Sequence, residues 1–500
     1  MGAGPGDAGL LTLRGAELLR RADVVIYDML VNPDLLRLAP STAEIISRGS
    51  RGTEKALSQD DLNKLLVSKA KDGKVVVRLK GGDPYIFGRG GEEAEELVAA
   101  GIPFEVVPGV SSIVAAPNYA GIPLTHRDYA STFTVLTGHE DPEKEESDLD
   151  FEQIAKIPGT KVILMGLKRL KELTETLISR GMLPETPVAI VRWGTRGHQQ
   201  SVEGTLATIA GVVAEKNISA PAITIIGNVV KLRPQLNWFE QRPLFGKRIV
   251  VTRTRDQASQ LSQKLMEKGA DILEIPTIKI GQSDHKQDIV DALLELNSYD
   301  WLVFTSPNGV TAFFDLFFKR FNDLRDIGGV KIAAIGPATA AKIRELHLQV
   351  DLMPEEALAS KIAEAMNKYE SVENLKICLL RAQVANPELP KELEALGAIV
   401  DDIAIYKTVP ETEDISGSAA RLMDGGADWI TFTSASTVEH FHARFDLPKL
   451  VKQSPQLRLA SIGPETSKAI RALKLEPTVE AKEHTIDGLV ASLLKAEGVK

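Results

Sequence analysis

The stretch "DWLVFTSPNGVTAFF" (300–314) returns as "DWITFTSASTVEHFH" (428–442), 128 residues further on. Two more pairs keep almost the same offset. "IAAIGPATAAKI" (332–343) matches "LASIGPETSKAI" (459–470), and "RIVVTR" (248–253) matches "KICLLR" (376–381). Agreement at three places with one nearly constant spacing predicts two similar α/β lobes. The cleft between such lobes is the expected place for a ligand. Thr305, Ser306 and Asn308 in one copy, and Thr433, Ser434 and Ser436 in the other, fall at matching strand ends.

Working outward, "NWFEQRPLFGKR" (237–248) reads as a domain boundary, where one pattern stops and a new strand begins after Pro and Gly. The link is short, which predicts halves that sit close together. Upstream, "ADVVIYD" (22–28), "KVVVRLKGGD" (74–83) and "FEVVPG" (104–109) read as strands. "LTLRGAELLRR" and "GRGGEEAEELVAAG" read as helices, the second with acids in its first turn, as the helix dipole favours. After "GIPLTHRDYA" the chain is richer in strands ("TFTVLTG", "TKVILMG", "TPVAIVRWG", "PAITIIGNVV"), so a second lobe is expected from about residue 126. The acidic run "EDPEKEESDLD" (140–150) reads as a solvated loop.

Five hundred residues exceed one hydrophobic core, and 43% hydrophobic with 25% charged residues describe ordinary globular domains. No apolar run approaches the roughly 18 residues of a membrane span. Cys378, the one cysteine, excludes an intrachain disulfide framework and reads as a buried strand residue in a reducing cytoplasm. The eight histidines lack ligand spacing, so no protein-bound metal is expected. A net charge of -9 argues against a nucleic-acid partner.

Near the amino terminus runs Gly2-Ala3-Gly4-Pro5-Gly6-Asp7. A dinucleotide fingerprint requires a third glycine where Asp7 stands, and Pro5 removes an N–H from any phosphate cradle. Asp28 ends the following strand at the distance of a ribose-binding acid, yet Asp7 would repel a pyrophosphate. Taken alone, the loop is a tight turn that uses glycine for positive φ.

Three longer motifs change that reading: "GAGPGDAGLLTL", "RLKGGDPYIFGRGGEE" (78–93) and "GIPLTHRDYA". With "VPGVSS" (107–112), they make residues 1–239 resemble the uroporphyrinogen-III C-methyltransferases, within the tetrapyrrole methylases. The resemblance implies methylation of two pyrrole carbons of uroporphyrinogen III by S-adenosylmethionine, leaving S-adenosylhomocysteine and precorrin-2, which feeds sirohaem and cobalamin. It places the cofactor in the cleft between two lobes, against Pro5, Gly81, Gly82, Asp83, Ile86, Ser111, Ser112, Met165 and Gly194. Such a site suits a neutral nucleoside with a zwitterionic tail, which needs close backbone and apolar walls. The resemblance makes Asp28 the acceptor of a proton and implies a homodimer formed through this half. It also implies a proton-donating lysine where this chain has Ser50 in "SRGSRGTEKALSQDDLN". Arg48, Arg51 and Lys55 stand nearby to supply the charge, and Arg51 and Lys55 also suit a substrate bearing eight carboxylates. Relatives carry apolar residues ending in Val before the loop, where Met1 stands. The expectation is therefore a native start several residues upstream, with a gap at one sheet position in a chain beginning at Met1.

Residues 245–500 resemble uroporphyrinogen-III synthase, through "GKRIVVTR", "FTSPNGV", "AAIGP", "IYKT", "FTSAST", "SIGPET" and "HTIDGLV". That family threads its lobes so that one holds about 245–279 plus 408–495 and the other 280–407. The first half divides at about 1–125 and 126–239. The implied reaction takes hydroxymethylbilane, loses its hydroxyl, inverts the last pyrrole and closes the ring without cofactor or metal. By resemblance Tyr406 assists hydroxyl departure, and Arg253, Ser306, Asn308, Thr433, Ser434, Ser436 and Thr485 contact substrate. The expectation is a bifunctional cytoplasmic enzyme of fold class α/β: a two-lobed methylase followed by a two-lobed synthase with parallel sheets. Two alternatives stand beside it: one activity alone, with methyl transfer impaired by Ser50, or a second half that binds without catalysing.

Overall fold

A computed structural model of the chain describes residues 1–49, 57–138, 149–252, 255–356, 359–414 and 416–499. Ser50, Arg51, Lys55 and Arg253 lie outside the described residues, as does most of the acidic run. Among the described residues the strands form four sheets with helices between them.

The first sheet is parallel, in the order β2-β1-β3, from β1 (Val24–Tyr27), β2 (Glu44–Ser47) and β3 (Val76–Leu79). Val24, Val25 and Ile26 are fully buried, as expected of a parallel strand covered on both faces. The opening residues lie beside β3. Lys80 N–H donates to Met1 O at 3.0 Å, and Ala3 N–H donates to Lys80 O at 2.7 Å. Gly2 N–H then reaches Val107 O at 3.0 Å. The strand expected at 104–109 is absent as a ladder. Pro108 has no N–H to give, and Gly109 N–H is taken by the Asp83 side chain at 3.0 Å.

The second sheet is mixed, in the order β4-β5-β8-β6-β7. It holds β4 (Phe133–Thr137), β5 (Thr160–Leu164), β6 (Pro187–Arg192), β7 (Gln200–Thr205) and β8 (Ala222–Ile226). β4 and β5 are parallel, and the remaining pairs antiparallel.

The second half builds two five-stranded sheets from β9 (Arg248–Val251), β10 (Asp271–Glu274), β11 (Ile278–Gln282), β12 (Trp301–Phe304), β13 (Lys331–Ala334), β14 (Lys376–Ala382), β15 (Ile399–Pro410), β16 (Trp429–Phe432), β17 (Arg458–Ser461) and β18 (Val479–Glu480). Their orders are β10-β9-β16-β17-β18 and β11-β15-β14-β12-β13, with only the β11–β15 pair antiparallel. The repeated segments take equivalent places: β9-β16-β17 in one sheet matches β14-β12-β13 in the other. The repeated Asp-Trp explains why. Asp428 accepts Arg248 N–H at 2.7 Å and Asp300 accepts Lys376 N–H at 2.8 Å, so each acid fixes the start of the neighbouring strand. Trp429 and Trp301 are fully buried, and each indole N–H is satisfied by a glutamate, Glu497 at 2.7 Å and Glu370 at 2.8 Å. Each ring removes roughly 150–250 Å² from water, a major share of its lobe's core. Cys378 lies buried in β14, where desolvation pushes its thiol pKa up and leaves it unreactive.

The halves meet through short contacts. Leu244 is fully buried against Ile249 and Leu261, and Gly246 N–H donates to Gly197 O at 3.1 Å. Arg37 pairs with the buried Glu274. Asp271 is held from three sides: His198 Nδ1–H donates to it at 3.0 Å, Arg248 Nε at 2.9 Å and Arg421 Nη2 at 2.8 Å. A carboxylate only accepts, which assigns the proton to Nδ1. Burial opposes the charge on Asp271, but His198, Arg421 and Arg248 outweigh it and hold its pKa well below the usual range. Burial lowers the His198 pKa below its ordinary 6.5; Asp271 pulls it up, and Arg421 and Arg196 push it down. The unfolded chain therefore binds this proton more readily than the folded one, and stability is lost as pH falls through the lowered value. Calorimetric unfolding should show a weaker chain at pH 5.5 than at pH 7.5. His198→Asn, which keeps a donor and cannot titrate, should remove most of that difference.

Candidate active sites

Three loops converge above the first sheet. Gly4 and Gly82 exchange backbone bonds, Gly82 N–H to Gly4 O at 2.8 Å and Gly4 N–H to Gly82 O at 3.3 Å. Gly109 closes the set: a Cβ there would lie 2.2 Å from Gly82 O and 2.7 Å from the Gly2 Cα. Gly4 and Gly82 have φ of +77° and +67°, which side chains with a Cβ rarely adopt. Asp83 ties the loops by accepting from Gly109 N–H at 3.0 Å and Tyr85 N–H at 2.9 Å. Its carboxylate thus supports backbone, where the resemblance implies a cofactor contact.

Gly81 faces Leu30, and Gly82 lies against Ser111 and Ser112, at the start of the helix Ser112–Tyr119. Ser111 caps that helix by accepting from Ile113 N–H. Gly194 packs on Ala116 of the same helix, where a Cβ would come within 2.5 Å. Pro5, Gly81, Gly82, Asp83, Ser111, Ser112 and Gly194 therefore gather around one helix start and the loops beside it. Met165 follows β5 with φ +56° and 50% of its surface exposed, and Ile86 is 37% exposed. Core packing accounts for neither, and both present apolar surface. The fit to S-adenosylmethionine is therefore one of close backbone and apolar side chains.

Asp7, where the third glycine of a nucleotide loop would stand, has a different task. It accepts Gly9 N–H at 2.8 Å, starting a short 3-10 turn, and the Tyr119 hydroxyl at 2.8 Å. Its own N–H donates to Thr195 Oγ1 at 3.0 Å, joining the lobes. A Gly-Asp pair ahead of a helical turn is a capping signal, and it was visible in the sequence.

Asp28 follows β1 directly and accepts Arg78 Nη2 at 2.5 Å, with Arg48 Nη1 3.8 Å away. Arg78 also contacts Glu93, which accepts the buried Lys80 at 2.7 Å. Desolvation, and then Arg78, lower the Lys80 pKa. Burial opposes ionisation of Glu93, but Arg78 and Lys80 bring its pKa below the ordinary value. The expected strand-end acid is thus one member of a paired cluster that alternates in sign.

In the second half, Ser306, Asn308 and Tyr406 come together. The Ser306 and Tyr406 hydroxyls are 3.0 Å apart, and Ser306 Oγ accepts Gly309 N–H at 3.0 Å as the cap of the helix Pro307–Arg320. Burial raises the Tyr406 pKa, while Ser306 and Asn308 pull it down. The phenol therefore stays protonated at neutral pH. Tyr406 and Asn308 line a cavity of about 870 Å³ with an apolar floor including Ile289 and Leu293. Its rim carries Lys286, Lys319, Arg320 and Lys342 against Asp315. The sequence reading missed these four cations, because helix-surface lysines look like any solvated face until the fold aims them at one opening. Thr433, Ser434 and Ser436 sit at the matching junction of the other sheet and do not line this cavity. Ser434 caps the helix Ala435–Phe445 and lies 3.0 Å from Ser436 Oγ. Thr485 caps the helix Ile486–Ala496. Among the described residues, no group of His, Cys, Asp and Glu could hold a metal, and no helix is long and apolar enough to cross a membrane.

The sequence profile described as tetrapyrrole (corrin/porphyrin) methylases matches residues 1–210, and that described as uroporphyrinogen-III synthase HemD matches residues 259–491. A porphyrin biosynthesis protein HemD from Ruminiclostridium josui is 38% identical over 100% of this chain and 97% of its own length. An S-adenosyl-L-methionine-dependent uroporphyrinogen III methyltransferase from Methanosarcina barkeri is 53% identical, covering 48% of this chain and 94% of its own. A uroporphyrin-III C-methyl transferase structure from Thermus thermophilus, complexed with S-adenyl homocysteine, is 38% identical over 46% of this chain and 97% of its own, with a TM-score of 0.39.

The three-glycine contact yields a direct prediction. Gly109→Ala forces a methyl group into backbone that has no room to yield, and should cost about 1–3 kcal/mol by urea unfolding. Gly91→Ala, a helical position with nothing within 4 Å of the added carbon, should be neutral or slightly stabilising.

Proposed function

The chain belongs to the HemD family of porphyrin biosynthesis, a tetrapyrrole methylase joined to a uroporphyrinogen-III synthase, and from that premise we propose how its residues divide the work. It is a bifunctional enzyme. The second half makes uroporphyrinogen III from hydroxymethylbilane, and the first half methylates that product at two pyrrole carbons to precorrin-2.

In the second half, the protonated Tyr406 phenol donates to the departing bilane hydroxyl, with Ser306 orienting it. Lys286, Lys319, Arg320 and Lys342 hold substrate carboxylates, so that the reactive bilane folds for inversion of its last ring. Asn308 adds a hydrogen bond from the same wall. The family's pattern also assigns substrate contacts to Thr433, Ser434, Ser436, Thr485 and Arg253, the first four of which lie apart from this cavity. The observation that carries this reading is Tyr406, held by Ser306, on the wall of a cavity with a basic rim.

In the first half, the Gly4–Gly82–Gly109 junction with Pro5, Ser111, Ser112, Met165, Ile86 and Gly194 binds S-adenosylmethionine. The cofactor supplies an electrophilic methyl on sulfonium. Asp28, oriented by Arg78, takes the proton that the macrocycle loses. Arg51 and Lys55 serve in place of the lysine that Ser50 replaces. We assign the enzyme to the cytoplasm, on the support of its single, buried and reduced cysteine. We also assign it a homodimer through the first half. Supporting that, Leu13 is 91% exposed and Phe104 44% exposed, on segments linked by Arg14 and Glu105 at 2.6 Å.

Hydroxymethylbilane alone should yield the type III porphyrinogen, and adding S-adenosylmethionine should convert it to precorrin-2, followed by absorbance. Tyr406→Phe should slow ring closure by about 10²-fold or more and leave methylation of supplied uroporphyrinogen III intact. Formation of isomer I alone by the parent chain would overturn the synthase reading. Sedimentation equilibrium should give twice the chain mass, and Leu13→Asp should reduce it to one.

A further inference from the structure

We propose that the second half holds the cofactor loop of the first half in shape through the seven residues Trp193–Gln199, with Gly197 and His198 as positioning residues for methyl transfer. This rests on the reading that residues 2–7 form a wall of the S-adenosylmethionine cleft. At one end the segment grips that loop. Thr195 Oγ1 accepts Asp7 N–H at 3.0 Å. Arg196 lies so close to Gly6 that a Cβ there would meet its Nε at 2.9 Å, and its Nη2 donates to Leu30 O at 3.4 Å, beside Gly81. At the other end it is seated on β10. A Cβ on Gly197 would fall 2.3 Å from the Ala270 carbonyl carbon and the Asp271 nitrogen, and His198 donates to Asp271 at 3.0 Å.

Between the two ends, Trp193 and Thr195 have φ of +50° and +73° around Gly194. An aromatic and a β-branched residue take such angles only where the surroundings over-determine them. Here the surroundings come from both halves. Gln199 adds a third fixed point, bonding Thr195 N–H at 2.9 Å and Glu240 at 2.8 Å. The segment has no slack, so a shift of β10 is passed to the loop.

The test uses the full chain and three variants. S-adenosylhomocysteine affinity is measured by titration calorimetry, KM and kcat are measured for S-adenosylmethionine with uroporphyrinogen III, and ring closure is followed as an internal control. Gly197→Val and His198→Ala should weaken S-adenosylhomocysteine binding about tenfold and raise KM in step. Both should keep kcat and ring closure within about twofold of the parent. His198→Asn, which keeps a donor for Asp271, should bind like the parent. Parent-like affinity in Gly197→Val and His198→Ala, with ring closure intact, overturns this inference alone. Equal weakening in His198→Ala and His198→Asn also overturns it. A parent chain that binds no S-adenosylhomocysteine overturns the cleft assignment and this inference together.

Discussion

The closeness of Gly2, Gly82 and Gly109 is the constraint on which the first half depends. Three loops from three parts of the chain meet backbone to backbone, at distances no Cβ tolerates. Their amides are then satisfied by Val107 O, Gly4 O and the Asp83 carboxylate, not by solvent. A wall made this way is stiff and nearly free of side-chain charge, which suits a ligand with a neutral nucleoside. The glycines of "GAGPGD" and "KGGD" are therefore a packing requirement first, and a recognition surface because of it.

The second half solves the opposite problem. On the reading proposed above, a linear tetrapyrrole with several negative charges meets Lys286, Lys319, Arg320 and Lys342, which carry long, adaptable stems around a buried phenol. Rigidity is confined to the Ser306–Tyr406 pair, where Ser306 is also the helix cap. One chain thus carries a stiff, apolar junction of loops and a basic cavity lined by long, adaptable side chains. The overall charge of -9 says nothing of this, because the relevant cations are local.

Much of the fold was legible in the residue pattern. The repeat located equivalent strands, and Asp300 and Asp428 now explain why Asp-Trp recurs: each acid anchors the next strand of its sheet. Buried strands such as "VVIY" announced themselves by unbroken apolar runs. The edge strands β2 and β7 did not, since "EIIS" and "QSVEGT" mix polar and apolar residues at partly exposed positions. The misread segment 104–109 has the composition of a strand but spends its amides elsewhere. Of the site residues, Thr305, Ser306 and Asn308 and their counterparts Thr433, Ser434 and Ser436 could be placed at strand ends from the repeat, whereas the cofactor positions and Tyr406 entered through the family resemblance. The lobe-joining contacts of Asp7, Thr195 and Gly197 could not be read, because each depends on a neighbour more than 70 residues away. No periodicity encodes such a meeting.

The swapped strand order has a consequence for how the chain is made. β9 is completed by the pairing of Arg248 with Asp428, 180 residues later. At about 5–20 residues per second, a ribosome needs on the order of 10–40 s to deliver that partner. During that interval one edge of β9 stands open, with Ile249, Val250 and Val251 uncovered, and an open apolar edge is where foreign strands add. The first half, whose sheets are closed by residues up to 226, is finished before then. A folded neighbour carrying Gly197 and His198 is thus already in place when β10 emerges. In the order of synthesis, the older domain is ready to seat β10 as it emerges, while the opposite edge of β9 waits for β16.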